Sequence, residues 1–198
     1  MADYDLIVMT ASAGGVSALG HVLSALPAEF DVPIVVVQHH TPGRTLGLAQ
    51  VLSRLSKRPV HIAEAGQHIR PGTVYLAPGA SHLVVRPDHS FELMDGRRIA
   101  YVRSSAESLF TSAADAYGPR MIAVVLTGLG RNGSGGVRRV KQVGGTVIAQ
   151  DEATSRYFSM PQAAIATGAV DSVLPLGAIA PALIHLTTGA HNVSATTR

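Results

Sequence analysis

Short apolar runs alternate with amphipathic stretches along almost the whole chain. The apolar runs have the length of buried strands and lie at Leu6–Met9, Ile34–Val37, Val60–Ala63, Met121–Leu126, Thr146–Ala149 and Ala169–Leu174. Helical periodicity follows them at Val16–Leu26, Leu46–Leu55, Glu107–Tyr117, Gly136–Val143, Pro161–Ala166 and Ile179–Leu186. This alternation predicts an α/β fold, in which a doubly wound, mainly parallel sheet is flanked by helices on both faces.

One segment, residues 73–94, departs from this alternation. It holds three short β runs joined by turn-forming residues, and these predict an antiparallel insertion: Thr73–Ala77, His82–Arg86 and Phe91–Met94. No internal repeat or composition shift divides the rest of the chain. We therefore expect a single catalytic domain over residues 1–187, followed by a flexible tail at 188–198, where periodicity is lost.

Composition narrows the class of protein. With 46% hydrophobic and 15% charged residues among 198, the chain can build a sizeable core. No apolar stretch approaches the roughly 20 residues of a membrane span, and the acidic start Met-Ala-Asp-Tyr-Asp is unlike a signal peptide. The absence of Cys excludes a disulfide framework, a thiolate nucleophile and Cys-ligated zinc. We expect a cytoplasmic protein without membrane insertion.

The net charge of +3 is mild, and the basic residues stand in small groups along predicted helices. The chain has no Trp, and aromatic residues make up 5% of it, so few platforms could stack nucleic-acid bases. We expect no nucleic-acid partner. A basic rim would instead speed the encounter with an acidic protein surface.

The first candidate for chemistry is Ser12. It follows the first predicted strand and precedes Gly14, Gly15 and a helix. The carboxyl end of a strand in an open α/β sheet is where catalytic groups collect, and free N–H groups at a helix N-terminus stabilise an oxyanion. The alternative is that Ser12 only caps the helix, as serine often does.

The second candidate is His39, at the end of the next predicted strand. From there it could reach Ser12 and act as the general base that activates the hydroxyl. A metal shared by His39 and His40 is disfavoured, because adjacent side chains on an extended segment point in opposite directions. We predict no metal site and expect His40 to face solvent.

A glycine loop after the strand at Met121–Leu126 offers a different chemistry. Gly128, Gly130 and Gly133 form G-x-G-x-x-G, and Asp151 and Glu152 follow at about the distance of a dinucleotide fingerprint. Against this alternative, the motif comes late in the chain, whereas the first strand–helix turn carries Ser12. A dinucleotide-binding enzyme remains the weaker hypothesis.

Four separated motifs, in order, resemble the catalytic domain of the chemotaxis protein-glutamate methylesterases, the CheB family. Thr10-Ala-Ser-Ala-Gly-Gly15 is similar to that family's Gly-Ala-Ser-Thr-Gly-Gly, and Gln38-His39 to its Gln-His-Met-Pro. Leu126-Thr-Gly-Leu-Gly-Arg-Asn-Gly133 resembles Leu-Thr-Gly-Met-Gly-x-Asp-Gly. Ala149-Gln-Asp-Glu-Ala-Thr154 with Met160-Pro161 resembles Ala-Gln-Asp-Glu-Ala-Ser with Gly-Met-Pro. The resemblance extends from about Leu6 to Leu186.

The resemblance implies an enzyme that hydrolyses glutamyl methyl esters, and often deamidates glutamines, on the cytoplasmic helices of chemoreceptors or on another methyl-esterified protein. Ser12 matches the nucleophile and His39 the base. Leu129 matches the family's Met, whose backbone N–H points into the oxyanion hole, and the N–H of Ala13 is the second expected donor. No metal or organic cofactor is implied.

Three departures from the family pattern matter. Asn132 stands where the family has its catalytic Asp, and Ala13 stands where the family usually has Thr. We also expect no receiver domain before the catalytic domain and therefore no phosphorylation switch within this chain, and we consider a separate receiver-domain protein as a regulator.

Asn132 is the most consequential departure. Asn carries no charge, and its N–H groups can hold His39 in the wrong tautomer. Asp151 or Glu152 could replace the missing acid. Two readings stay open: an attenuated hydrolase, or a catalytically silent receptor-binding module of the same fold.

Overall fold

The computed structural model describes residues 4–39, 43–79, 81–95 and 106–188. The strands are β1 (Leu6–Ala11), β2 (Ile34–Gln38), β3 (Val60–Ile62), β4 (Val74–Leu76), β5 (Ser81–Val85), β6 (Phe91–Asp95), β7 (Met121–Val125), β8 (Thr146–Gln150) and β9 (Ser172–Leu174). The helices are α1 (Gly15–Ser24), α2 (Thr45–Ser56), α3 (Ala106–Tyr117), α4 (Ser134–Gln142), α5 (Ser159–Ile165) and α6 (Leu176–Thr188).

Seven strands form one parallel sheet in the order β3-β4-β2-β1-β7-β8-β9. The chain passes from β1 to its neighbour β2, continues to the edge strand β3, returns to β4 between β2 and β3, and later crosses to β7 on the other side of β1. The reversal between β1 and β7 opens a crevice at the carboxyl edge of the sheet, where α/β proteins bind their ligands. The predicted doubly wound α/β fold is confirmed.

The antiparallel insertion is smaller than predicted. β5 and β6 form a two-stranded antiparallel sheet, but the run at Thr73–Ala77 does not join them. Its central residues form β4, which pairs in parallel with β2 and β3. All three residues of β4 are buried, so this strand is covered on both faces, as parallel strands are.

Apolar residues fill both sides of the sheet. β1 is buried throughout, and its alternate residues divide between two clusters. Leu6 and Val8 pack in the cluster that contains residues of α3, α4 and α5. Ile7, Met9 and Ala11 pack in the cluster that contains residues of α1, α2 and α6. The central strands are thereby fixed between two helical layers, which gives the carboxyl edge a rigid base.

Helix α6 ends at Thr188, the first residue of the predicted tail, and residues 189–198 lie outside the described part of the chain. Among the helices in the described ranges, none has the length and apolar content that a membrane crossing requires.

Candidate active site

Ser12 lies in the tight turn between β1 and α1. Its backbone N–H donates to the Thr127 carbonyl at 3.0 Å, and its own carbonyl accepts from the N–H of Gly15 at 2.8 Å. The residue that caps α1 is Gly14, in the left-handed region with φ of 77°, and no side chain caps this helix. Within the described residues the Ser12 hydroxyl has no hydrogen-bond partner. The cap hypothesis for Ser12 is therefore wrong, and the hydroxyl is left available for chemistry.

Gln38 and Gly15 pack closely beside this turn. A Cβ on Gly15 would lie 2.2 Å from Gln38 Oε1. The buried Gln38 side chain donates from Nε2 to the Ser12 carbonyl at 2.8 Å and to the His39 carbonyl at 3.2 Å. One amide group thus joins the end of β2 to the serine turn, and it can do so because residue 15 has no side chain.

His39 follows Ser12 directly in the register of the sheet. β1 and β2 pair Ala11 with Gln38, and the His39 N–H donates to the Ala11 carbonyl at 3.2 Å. Neighbouring strands lie about 4.8 Å apart. Ser12 and His39 therefore sit side by side at the carboxyl edge of the two central strands.

Asn132 reaches the same place from the loop between β7 and α4. Its Nδ2 lies 2.8 Å from His39 Nε2. Its Oδ1 accepts from the backbone N–H of Glu107 at 3.4 Å, in the first turn of α3. Because that N–H is a donor, it holds the amide with oxygen toward α3 and nitrogen toward His39. An amide NH₂ only donates, so this orientation pairs with the His39 tautomer in which Nε2 accepts and Nδ1 carries the proton.

The backbone N–H groups of Ala13 and Leu129 are candidates for an oxyanion hole. Within the described residues neither N–H makes a hydrogen bond. On either side of Leu129, the Gly128 N–H donates to the Tyr157 carbonyl at 2.9 Å, and the Gly130 N–H donates to Ser159 Oγ at 3.2 Å. Ala13 and Leu129 are the two donors that the family resemblance implies for the oxyanion hole.

Asp151 and Glu152 are not placed to act as replacement acids. Asp151 Oδ1 accepts from the N–H and Oγ1 of Thr154 at 3.0 and 2.6 Å, and Glu152 is exposed. β8 is separated from β2 by β1 and β7, which places its end about 14 Å from His39. The geometry contradicts that hypothesis, because Asn132 occupies the position beside the imidazole.

The glycine loop is packed against α5 rather than open to a pyrophosphate. The Gly128 carbonyl accepts from the Met160 N–H at 3.1 Å and from Ser159 Oγ at 3.2 Å. A Cβ on Gly128 would lie 2.6 Å from Met160 Cε and 2.9 Å from Ser12 Cβ. Gly128 therefore has no side chain because Ser12 and Met160 pack against it. This packing explains the glycine without a bound pyrophosphate and does not favour the dinucleotide hypothesis. His40 lies outside the described residues, and within them no group of three His, Asp or Glu side chains is arranged to hold a metal.

Two further buried residues, Thr127 and Gln150, hold these loops together, and sequence reasoning missed these contacts. The Thr127 N–H donates to Gln150 Oε1 at 2.8 Å, and Thr127 Oγ1 donates to the Ala13 carbonyl at 3.1 Å. Gln150 Nε2 donates to the Thr154 carbonyl at 2.9 Å. A sequence signal for these contacts exists: each residue is polar and stands at the end of an apolar strand. A buried polar side chain at such a position needs hydrogen-bond partners.

Comparison with known proteins identifies the family. A family model described as CheB methylesterase matches residues 7–183. The chain belongs to the CheB methylesterase family.

Three similar proteins illustrate the relationship. The protein-glutamate methylesterase FrzG of Myxococcus xanthus is 44% identical over 182 residues, which is 92% of this chain and 54% of the relative. A putative protein-glutamate methylesterase/protein-glutamine glutaminase of Leptospira interrogans is 36% identical over 93% of this chain and 95% of its own length. The crystal structure of the Thermotoga maritima CheB methylesterase catalytic domain matches with a TM-score of 0.88 and 40% identity, covering 93% of this chain and 99% of that domain. The chain spans about half the length of the first curated relatives it matches.

Proposed function

We propose that this chain is a serine hydrolase that cleaves glutamyl methyl esters, and the side-chain amides of glutamine, on the cytoplasmic helices of chemoreceptors. The observation that carries the proposal is the placement of Ser12, His39 and Asn132 at one point of the carboxyl edge, with the Ser12 hydroxyl available. The names of the similar proteins support the same reaction.

In the proposed reaction, Ser12 Oγ attacks the ester carbonyl and gives its proton to His39 Nδ1, the ring nitrogen remote from Asn132. The N–H groups of Ala13 and Leu129 stabilise the negative oxygen of the tetrahedral intermediate. His39 returns the proton to the leaving methoxide, which departs as methanol, or to the leaving amine, which departs as ammonia. Water, activated by the same imidazole, then hydrolyses the acyl-serine to glutamate.

Asn132 attenuates this reaction. With Nδ2 toward His39, the Nδ1 atom already carries a proton and cannot accept the one from Ser12. Rotating the amide by 180° would free Nδ1, but it would point two donors at each other near Glu107. The lost hydrogen bond costs about 1–3 kcal/mol, so the competent tautomer is a minor population.

Ser12→Ala and His39→Ala test the proposed roles. Both should abolish hydrolysis of a small activated ester, such as p-nitrophenyl acetate, and of a methyl-esterified chemoreceptor fragment. Thermal unfolding should be nearly unchanged, since neither side chain fills the core. Turnover that survives Ser12→Ala would place the nucleophile elsewhere.

A silent receptor-binding module is the second candidate, and the inward-facing Asn132 amide favours it. It predicts that the chain binds the receptor fragment without turnover, and that no variant at Asn132 restores hydrolysis. Regulation by a separate receiver-domain protein remains a prediction, tested by adding such a protein to the same assay.

A further inference from the structure

An open groove runs along α1 and α2 beside the candidate active site. It consists of two clefts that share Val16. One has a volume of about 550 Å³ and is bordered by Gly14, Leu55 and Arg156. The other, of about 580 Å³, is bordered by His39, Arg44 and Val51. We refer to these seven residues, with Gly20 and Gly47 that also line it, as the α1–α2 groove.

Apolar and small residues form the middle of the groove. Val51 and Leu55 are one helical turn apart on α2 and are 40% and 45% exposed. Gly20 allows Leu55 to approach α1, since a Cβ there would lie 2.9 Å from Leu55 Cβ. Gly47 leaves open space, because an added Cβ would meet no atom within 4 Å. An exposed apolar strip beside small residues is typical of a surface that accepts another helix.

Cationic side chains flank the end of the groove nearest Ser12: Arg44 directly precedes α2, and Arg156 lies against Gly14, which directly precedes α1. Arg44 and Arg156 form no ion pair with any described residue, whereas Arg86, Arg120 and Arg139 are each paired with a carboxylate. Arg156 lies 5.8 Å from the centre of the Tyr157 ring, and its Cβ approaches Gly14 of the serine turn. The groove is therefore complementary to a ligand whose carboxylates flank the residue that enters the site and whose apolar stripe continues along α2.

The position of the site excludes the main alternative mode of peptide binding. An extended peptide binds by pairing with an edge strand, but the edges of the large sheet are β3 and β9. Ser12 and His39 lie on the central strands β1 and β2. A helix can reach them along the α1–α2 groove, which opens at His39 and Gly14.

We propose that the α1–α2 groove binds an amphipathic, acidic helix of the substrate protein. The apolar stripe of that helix packs on Val51 and Leu55, its flanking carboxylates pair with Arg44 and Arg156, and the esterified glutamyl side chain enters between them toward Ser12. The proposal rests on the proposed function for the chemistry, but the binding can be measured without turnover.

The test uses the full chain carrying Ser12→Ala and two synthetic α-helical hairpins. Both hairpins carry a central γ-methyl glutamate within a leucine stripe; one has glutamates flanking the stripe, the other lysines. Fluorescence anisotropy should show at least about tenfold tighter binding of the glutamate hairpin. Val51→Asp should weaken that binding by about tenfold, because it places a carboxylate in the apolar strip.

Leu46→Asp is the matched control. Leu46 is also an exposed apolar residue of α2, but it borders a different cleft, shared with Gln50, Ser53 and residues of β3. This variant should bind the glutamate hairpin like the parent. Arg44→Glu with Arg156→Glu should reverse the preference toward the lysine hairpin, whereas Arg54→Glu, on the same helix and outside the groove, should not.

Equal affinity for the two hairpins, or equal losses in Val51→Asp and Leu46→Asp, would overturn the proposed groove. Failure of the proposed function looks different: the chain with Ser12 intact would release no methanol from the glutamate hairpin, while the binding differences between variants remained.

Discussion

At the residue scale, the side chain of residue 132 contacts the His39 ring, so a change of that side chain should change the His39 tautomer. In Asn132→Asp, one carboxylate oxygen can accept from the Glu107 N–H, as Oδ1 does now, while the other accepts from His39 Nε2–H. This moves the imidazole proton to Nε2 and leaves Nδ1 as the base. We expect kcat for p-nitrophenyl acetate to rise at least about tenfold; the reverse exchange in serine proteases costs about 10⁴.

The pH–rate profile provides an independent readout of the same variant. A carboxylate beside the ring stabilises the imidazolium and so should raise the pKa of His39. If the parent protein is active, the acid limb of its pH–rate profile should therefore lie at lower pH than that of Asn132→Asp. Asn132→Ala is the control, since it removes both contacts without supplying a charge and should not raise kcat. An unchanged rate in Asn132→Asp, with activity lost in Asp151→Asn or Glu152→Gln, would reassign the third residue of the triad.

Sequence reasoning proposed Ser12, His39 and Asn132 as site residues because each lies after an apolar strand and within a family-like motif. It could not choose between the two orientations of the Asn132 amide. That choice depends on the N–H of Glu107, which is 25 residues away in the chain. Distances across strands also decided against Asp151, which the motif alone allowed.

At the scale of secondary-structure elements, Gln38 and Gln150 hold equivalent places at the ends of β2 and β8. Both are buried, but Gln38 joins the backbones of Ser12 and His39, whereas Gln150 joins those of Thr127 and Thr154. Gln38→Met should lower kcat for the small ester by about tenfold with little change in KM, because it loosens the relative placement of nucleophile and base.

Gln150→Met is the matched control for Gln38→Met. Both variants remove a buried amide that makes hydrogen bonds to two loops, so thermal unfolding should show similar destabilisation of about 1–3 kcal/mol. A loss of kcat that simply follows the loss of stability in both variants would assign Gln38 a structural role alone.

Element assignment from sequence was wrong about the pairing of one short run, Thr73–Ala77. The strand β4 has three residues, Val74 to Leu76, and is flanked by turn-forming residues. The pattern of such a short run does not distinguish a strand of a parallel sheet from a strand of an antiparallel hairpin. The pairing with β2 and β3 follows from how the chain returns to the sheet, which local pattern does not encode.

At the scale of the whole molecule, the carboxyl ends and the amino ends of the parallel strands have different roles. We call these the carboxyl edge and the amino edge of the sheet. The carboxyl edge holds Ser12, His39 and Asn132, while aromatic and charged contacts hold the amino edge together. There, Arg120 pairs with Asp5 beside the start of β1, and the rings of His89 and Tyr117 stack at 4.1 Å. Changes at the amino edge should therefore alter stability and leave turnover unchanged.

A substitution at Tyr117 can test whether the amino edge affects stability without affecting turnover. Burial, followed by the nearby Asp5 charge, raises the pKa of Tyr117 to about 12, above the ordinary value of 10.0 for tyrosine. A raised folded-state pKa means that the native state retains the phenol proton longer than the unfolded chain does. The stability from this group is present in full below pH 10 and is lost as the pH rises toward 12.

Tyr117→Phe should remove that part of the alkaline loss, because Phe keeps a ring against His89 and has no proton to release. Urea unfolding of both proteins between pH 8 and about 11.5 measures the difference. Above pH 10 the free energy of unfolding of Tyr117→Phe should fall less than that of the parent. Both proteins should hydrolyse p-nitrophenyl acetate at the same rate at pH 8. Parallel pH curves would show that the phenol titrates alike in both states, and a change in turnover would show that the two edges are coupled.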